Sequence, residues 1–345
     1  MKHLNFIFLS LLIQVNISVC AQDQKITFAN HETERHIDIL FDGKLFTSYC
    51  WPENVYKPIL YPVYTSAGTE ITRGFPLRPK EGERNDHIHQ VGIWLNYGKV
   101  NGIDFWGNGV NGYKEPGGGE IKHLQIESMG LGNNEGILTT NESWVNPRGK
   151  EILAEKTEYH FIGRGSLRII DRITTLTAKD SLVKFDDTKE GMFGIRVARQ
   201  MELPLNENVV LLNAEGKPSG QKVNAAAGAT GNYRSSEGLT GEAVWGKRAA
   251  WIDRYGNIGN EKISIVVCDH PKNPVYPTYW HARGYGLFAV NPFGWKDFTE
   301  GKEQLNFSIQ PGQPVTFRYR VIISSGTHLT NEEINTLVKE FSNKY

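Results

Sequence analysis

The chain has 345 residues, and its 38 Lys and Arg are balanced by 38 Asp and Glu, so the formal charge is zero. That balance removes the electrostatic case for nucleic acid or an anionic membrane as the main partner. Three cysteines exclude a disulfide framework and a Cys₄ zinc site, and nothing beyond the N-terminus approaches the about 20 apolar residues of a membrane span.

Lys2 and His3 form a short polar start, and Phe6 to Val15 is an apolar run interrupted by Ser10 and Gln14. Val19-Cys20-Ala21 then offers small residues where a signal peptidase reads. This predicts a cleaved signal peptide over 1–21, Gln22 as the mature start, and a periplasmic or secreted protein. Lipidation at Cys20 is the lesser alternative, because Val19 is bulkier than that processing accepts. After cleavage Cys50 and Cys268 remain, either as one disulfide or as two buried thiols.

Residues 22–345 read as one β domain. His36-Ile37-Asp38-Ile39-Leu40-Phe41, Asp42-Gly43 and Lys44-Leu45-Phe46-Thr47 predict a hairpin with a type I′ turn. Strand-like runs recur at 58–65, 91–97, 121–128, 136–145, 151–161, 166–177, 263–268, 285–290 and 315–324. Gly, Asn and Asp clusters separate them, which predicts an all-β fold, a large antiparallel β-sandwich. From about 204 to 242 the residues turn small and polar, a long excursion able to cover a site. The glycines at 107–112 and 117–119 lack the strand–GxGxxG–helix context of a dinucleotide site. Thr330 as N-cap with Glu333 in a capping box, and Ile334, Leu337, Val338 and Phe341 on one face, predict a short C-terminal helix against a sheet.

Three clusters carry candidate chemistry. In Asp86-His87-Ile88-His89-Gln90, a strand entered at His87 places both imidazoles on one face, suited to metal ligation or proton transfer. Trp94 and Trp106 flank the following amide-rich segment, either as sugar-stacking rings or as core anchors. The second cluster joins Asp269-His270-Pro271-Lys272-Asn273-Pro274 to Trp280-His281-Ala282-Arg283-Gly284-Tyr285, with Asn291 closing the same pocket. So many donors in a Pro-stiffened loop must meet one another, water or a ligand. In the third, Asp186 to Lys189 reads as a surface turn, whereas Glu190 and Arg196 bracket a strand; a carboxylate with histidine is the usual equipment for proton transfer. Neither GxSxG nor HExxH nor an EF-hand loop occurs, which excludes serine-hydrolase, zincin and calcium-sensor readings.

In this order the clusters resemble a family of secreted bacterial proteins labelled "methane oxygenase PmoA-like". The resemblance spans most of the mature chain. It rests on Asp86-His87-x-His89 with Gly92-Ile93-Trp94, on Val100-Asn101-Gly102-x-Asp104-Phe105-Trp106, and on Lys189-Glu190-Gly191-x-Phe193-Gly194-Ile195-Arg196. It continues through Trp245-Gly246-x-Arg248-Ala249-x-Trp251, Asp269-His270-Pro271-x-Asn273-Pro274 and Trp280-His281-x-Arg283-x-Tyr285-Gly286. Gln90 and Lys99 depart from the pattern, standing where relatives often have His and Asp. Gln90 weakens any mechanism built on three adjacent imidazoles, and Lys99 marks its position as peripheral. The labelled activity does not fit, because a membrane monooxygenase subunit needs several long apolar helices. The resemblance implies a galactose-mutarotase-like supersandwich in proteins of carbohydrate catabolism.

The expected function is therefore that of an enzyme acting on a sugar or keto sugar, as a lyase, epimerase or hydrolase. His87, His89, Glu190, His281 and Arg196 are the expected catalytic residues. Asp86, Trp94, Trp106, Asp269, His270, Trp280, Arg283, Tyr285 and Asn291 are expected at the substrate, with guanidinium groups on sugar oxygens or a developing enolate. No cofactor is certain; a divalent metal is possible, held by His87, His89 and a third ligand, His281 or Glu190. The alternative from another class is a non-catalytic carbohydrate-binding protein, in which the tryptophans matter and the imidazoles do not.

Overall fold

The computed structural model describes residues 24–107, 118–132 and 134–345; the expected signal peptide with Cys20, and most of the two glycine groups, lie outside them. In chain order the strands are β1 (Ile26–His31), β2 (His36–Phe41), β3 (Lys44–Cys50), β4 (Ile59–Val63), β5 (Ile93–Tyr97), β6 (Glu120–Leu131) and β7 (Gly136–Val145). There follow β8 (Glu151–Arg164), β9 (Leu167–Ala178), β10 (Val183–Phe185), β11 (Gly191–Arg196), β12 (Asn208–Leu212), β13 (Pro218–Asn224) and β14 (Asn232–Ser235). The last are β15 (Trp251–Ile258), β16 (Glu261–Asp269), β17 (Tyr279–Ala282), β18 (Leu287–Asn291), β19 (Phe307–Ile309) and β20 (Pro314–Ser325), with helices α1 (Trp295–Phe298) and α2 (Asn331–Lys344).

Two eight-stranded antiparallel sheets form the sandwich, one ordered β1-β2-β3-β4-β5-β11-β18-β17 and the other β14-β15-β16-β20-β9-β8-β7-β6. The all-β class and the C-terminal helix are as the sequence predicts, and every strand run named there falls on a strand. The Asp42-Gly43 turn has both residues at positive φ, 50° and 74°, the requirement of a type I′ hairpin. Thr330 accepts from the Glu333 N–H while Glu333 accepts from the Thr330 N–H, closing the capping box of α2. Ile334, Leu337 and Phe341 of α2 are buried against Ile169, Trp251, Cys268 and Ile322 on the outer face of the second sheet.

Strand alternation sorts the first sheet into two faces. Ile93, Leu95, Tyr97, Trp280, Ala282, Phe288 and Val290 enter the core between the sheets. Trp94, Leu287 and Ala289 point the other way and build a smaller apolar cluster with Val55, Ile59 and Trp106. His281 and Arg196 also lie on this outer side, because their strand neighbours Trp280 and Ile195 face inward. Gly194 makes room for it: a Cβ there would come within 2.8 Å of the Trp94 indole.

The cysteine alternatives resolve to free thiols, and one expectation is corrected. Cys50 and Cys268 are separate thiols, the first bonded to the Tyr61 carbonyl in the first sheet and the second beneath α2 on the other. The 204–242 excursion is no cover for the outer-face cluster. It contains the exposed β12–β13 hairpin, which docks on residues 82–84 through Gly82 N–H to Leu212 O and an Arg84–Leu211 bridge. Among the described residues, no helix is long and apolar enough to cross a membrane.

Candidate functional site

A cleft of about 440 Å³ opens on the outer face of the first sheet, above β5, β11, β18 and β17. His87, His89 and Gln90 form one wall, Asp104 and Trp106 another, and Lys189, Glu190, His281, Arg283 and Tyr285 the rest. Residues from all three sequence clusters thus line one cavity. A larger cleft of about 640 Å³ lies near the end of α2, but its charges are already committed, Arg164 to Glu340 and Lys344 to Glu135.

His87 and His89 do not enter a strand, as the sequence reading supposed. They sit in a turn closed by Gln90 N–H to His87 O at 2.9 Å, with His87 at φ 43°, and β5 begins only at Ile93. The rings still meet, edge to face, with centroids 5.8 Å apart. Arg73 holds the turn from below: its guanidinium donates to the carbonyls of Asp86, His87 and Gln90 and to Asp86 Oδ1, all at 2.8–3.0 Å. Positive φ on a non-glycine residue is strained and persists where surrounding bonds over-determine it, which is what Arg73 supplies.

Arg196, fully buried at the end of β11, completes the clamp by donating to Gln90 Oε1 and Asp86 Oδ1, both at 2.6 Å. Its guanidinium also lies 4.9 Å from the Tyr285 ring, and Tyr285 stacks on His87 at 4.6 Å with planes 9° apart. Arg196 and Asp86 therefore shape the cleft without lining it, a correction to the roles expected of them.

Glu190 precedes β11, and its carbonyl accepts from the Gly98 N–H at 2.7 Å. A Cβ at Gly98 would fall 2.8 Å from that of Glu190, so this approach requires glycine. Glu190 Oε2 lies 3.9 Å from His281 Nδ1; the imidazole is 4% exposed and the carboxylate 34%. Nδ1 of His281 and Nε1 of Trp106 are both buried without a hydrogen-bond partner. Asp104 presents Trp106 through an Asx turn, accepting from the N–H groups of Trp106 and Gly107 at 2.7 and 3.0 Å.

Residues 36–339 match the family described as "Family of unknown function (DUF6807)". The chain belongs to the DUF6807 family. Among curated proteins, none matches its sequence. Solved structures overlap this DUF6807 chain loosely. The galactosidase domain of an alpha-galactosidase-sucrose kinase, AgaSK, does so at 8% identity and TM-score 0.40, covering 87% of this chain and 41% of that one. The Slr1438 protein of Synechocystis sp. PCC 6803 follows at 11% and 0.30, covering 91% of this chain and 100% of that one. A galactose mutarotase related enzyme of Lactobacillus acidophilus gives 7% and 0.31, covering 90% and 99%. Overlap this loose carries nothing about activity.

Electrostatics in the DUF6807 cleft favour neutral acid–base groups. Burial pushes the His281 imidazole down to about 3, with Arg283 and Lys189 adding to it. His89 is pushed down to about 2, again by burial first and then by Lys57 and His87. Burial moves the Glu190 carboxyl the opposite way, up from its ordinary value. For Asp86 burial would raise the carboxyl, but Arg196, the His87 hydrogen bond and Arg73 together hold it well below the carboxylate range. Lys57, buried under the turn and donating to the His89 carbonyl at 2.7 Å, is lowered to about 7 by burial.

Several expected site residues lie elsewhere. Trp94 and Trp280 are sealed, with their N–H groups given to Asn96 Oδ1 and the Ala249 carbonyl. Asp269 organises its own loop, accepting from the N–H groups of His270 and Thr278 and from Asn273 Nδ2. His270 packs edge-on against Phe341 of α2, on the other sheet from the cleft. Asn291 ties the Thr188 carbonyl to the Phe293 N–H within the sheet end. The optional metal ligands, His87 and His89 with His281 or Glu190, do not gather: among the described residues, the one His/Cys/Asp/Glu group with three ligand atoms mutually within 4.8 Å is His31, Glu34 and His36. Residues missed from sequence are Arg73, Lys57, Asp104 and Lys189. Arg73 and Lys57 stand in no motif; Asp104-Phe105-Trp106 carries an Asx-turn signal that could have placed Asp104.

Proposed function

We propose that the cleft binds a sugar or keto sugar and performs acid–base chemistry on it, with Glu190 as the group that exchanges the proton. The observation that carries this is the Glu190–His281 pair: a carboxyl of raised proton affinity at the cleft surface, backed 3.9 Å away by a buried neutral imidazole with an unpartnered nitrogen. A carboxyl poised nearer neutrality is the form a general acid or base needs. An orphaned buried polar atom costs about 1–3 kcal/mol and is kept where something else uses it. Closure of the pair on a bound ligand would satisfy it.

His281 acts on the proton through Glu190. His89, also neutral, lines the same cavity as a hydrogen-bonding group. Arg283, exposed at the rim with its guanidinium 5.9 Å from the Tyr285 ring, is the donor for an oxyanion such as an enolate. Trp106 lines the cleft with its unpartnered N–H, while its ring is packed in the apolar cluster beside Trp94. Lyase, epimerase and hydrolase outcomes all follow from this equipment, and the choice among them lies with the ligand. Ring stacking on Trp94, Trp106 and Trp280 is common to the catalytic and the non-catalytic readings, and the burial of all three weakens the non-catalytic one more, because it has the tryptophans alone to rest on. Export across the cytoplasmic membrane, carried by the N-terminal leader, belongs to the same proposal.

A structure of the mature protein with a bound glycoside or 3-keto-glycoside tests the site. The expected pose puts a sugar oxygen against the Trp106 N–H with a reacting atom within about 3.5 Å of Glu190. A sugar bound elsewhere on the surface would overturn it.

A further inference from the structure

The β1–β2 hairpin stands at the opposite edge of the first sheet from the cleft, and it carries histidines that the proposed function leaves unused. His31 and His36 are direct cross-strand partners. Their rings lie face to face, with centroids 4.8 Å apart and planes inclined by 24°. Glu34 sits in the short 3-10 turn between them. One carboxylate oxygen of Glu34 and one ring nitrogen of each histidine lie within 4.8 Å of one another.

A fourth donor flanks this set. Asp38 follows His36 by two residues on the same strand, hence on the same face. Its two oxygens stand 3.8 Å from Nε2 of His31 and 3.8 Å from Nε2 of His36. Ser48 orients that carboxylate by donating to Oδ1 at 2.5 Å, and His36 Nδ1 lies 3.4 Å from the Glu34 carbonyl, which leaves Nε2 for the common centre. Such outer contacts fix ligand orientation in metal sites. Packing does not explain the arrangement: His31 is 40% exposed, His36 26% and Asp38 23%, outside the apolar clusters.

We propose that the tip of the β1–β2 hairpin binds one divalent transition-metal ion, with His31, His36, Glu34 and Asp38 as ligands. Two imidazoles and two carboxylates form a nitrogen–oxygen donor set suited to zinc. A tetrahedral site with bonds of about 2.0–2.1 Å sets its ligand atoms about 3.4 Å apart. His31, Glu34 and His36 present atoms within 4.8 Å of one another and Asp38 lies 3.8 Å from each imidazole, separations that rotations of these side chains would close to that value. The ion would join the strands at the outer edge of the sheet and tie down the turn between them.

The test uses the tag-free mature chain, stripped with chelator and titrated with Zn²⁺ alone, then with Co²⁺ as a spectroscopic probe. One equivalent of Zn²⁺ should bind and raise Tm, and Co²⁺ should give the intense visible bands of a tetrahedral site. His31→Ala and His36→Ala should each weaken binding at least tenfold while leaving the metal-free Tm unchanged. Glu34→Gln, an exposed turn substitution, should weaken it in the same direction and guards against misfolding of the histidine variants. His87→Ala, in the cleft, should bind Zn²⁺ as the parent does. The proposal is overturned if the parent shows no saturable binding, if the hairpin variants bind like the parent, or if binding disappears with His87→Ala.

Discussion

Glu190 Oε2 stands 3.9 Å from Nδ1 of His281, with the carboxylate at the cleft and the imidazole behind it. The carboxyl comes from the residue leading into β11, and the imidazole from β17, two strands away across β18. Gly98 allows the approach on one side, and the inward-facing Trp280 sets the direction of His281 on the other. Removing the carboxyl's charge while keeping its shape separates proton transfer from binding. Glu190→Gln should lower turnover by about 10²–10⁴-fold and leave sugar affinity nearly unchanged. Because burial raises the Glu190 carboxyl above its unfolded value, its ionisation opposes folding as pH rises past the unfolded pKa of about 4.3. The same variant should therefore be no less stable than the parent at pH 7, measured as Tm.

The histidines give the acid side of the stability profile. Folded-state values of about 3 for His281 and about 2 for His89 lie below the value of about 6.5 expected in the unfolded chain. Between those limits the unfolded chain binds more protons, so this contribution is complete above about pH 6.5 and is lost as pH falls. Urea unfolding at pH 7, 6, 5 and 4 should show His281→Gln declining less steeply than the parent, by up to about 1.4 kcal/mol per pH unit.

Arg73 is buried beneath the His87–Gln90 turn and pairs with Asp86 at 2.9 Å. Arg73→Met takes a donor from the carbonyls of Arg84, Asp86, His87 and Gln90 and leaves Asp86 with one cation fewer. A loss of about 3–5 kcal/mol is expected from urea unfolding, the range for breaking a buried ion pair. Sugar binding by the folded fraction should also weaken, since His87 loses the contacts that hold its positive φ.

Tryptophan substitutions should divide by face. Trp280→Ala, in the core between the sheets, should cost about 3–5 kcal/mol of stability. Trp106→Phe keeps an apolar ring at the cleft wall but removes the unpartnered N–H, so stability should change by less than about 1.5 kcal/mol. Calorimetric titration with the sugar reports whether that N–H binds ligand: affinity should fall by about tenfold for a lost hydrogen bond.

The sequence made the fold legible where hydrophobic alternation and turn chemistry agree, as in the hairpin at Asp42-Gly43 and the capping box at Thr330 and Glu333. It misplaced His87 and His89, because their local alternation resembles a strand entry and the force that makes a turn of them is Arg73, fourteen residues before His87. The gathering of Glu190 with His281 was readable only as two clusters of suitable residue types. Their proximity depends on β11 and β17 flanking β18, a non-local pairing that no local signal announces. Asp269 and His270 misled for the opposite reason. The Asp269 carboxylate is satisfied within the loop itself, by backbone N–H groups and Asn273, and His270 Nδ1 accepts from the Lys272 N–H there.

The central claim is most directly tested by assaying turnover of a panel of glycosides and 3-keto-glycosides by the mature protein and by Glu190→Gln side by side, with binding measured on the same samples. Turnover by the parent, and undiminished binding with turnover lost in the variant, is the predicted result. A parent that binds sugar without turning it over at any pH from 4 to 9, or a variant that turns over at the parent's rate, would contradict it.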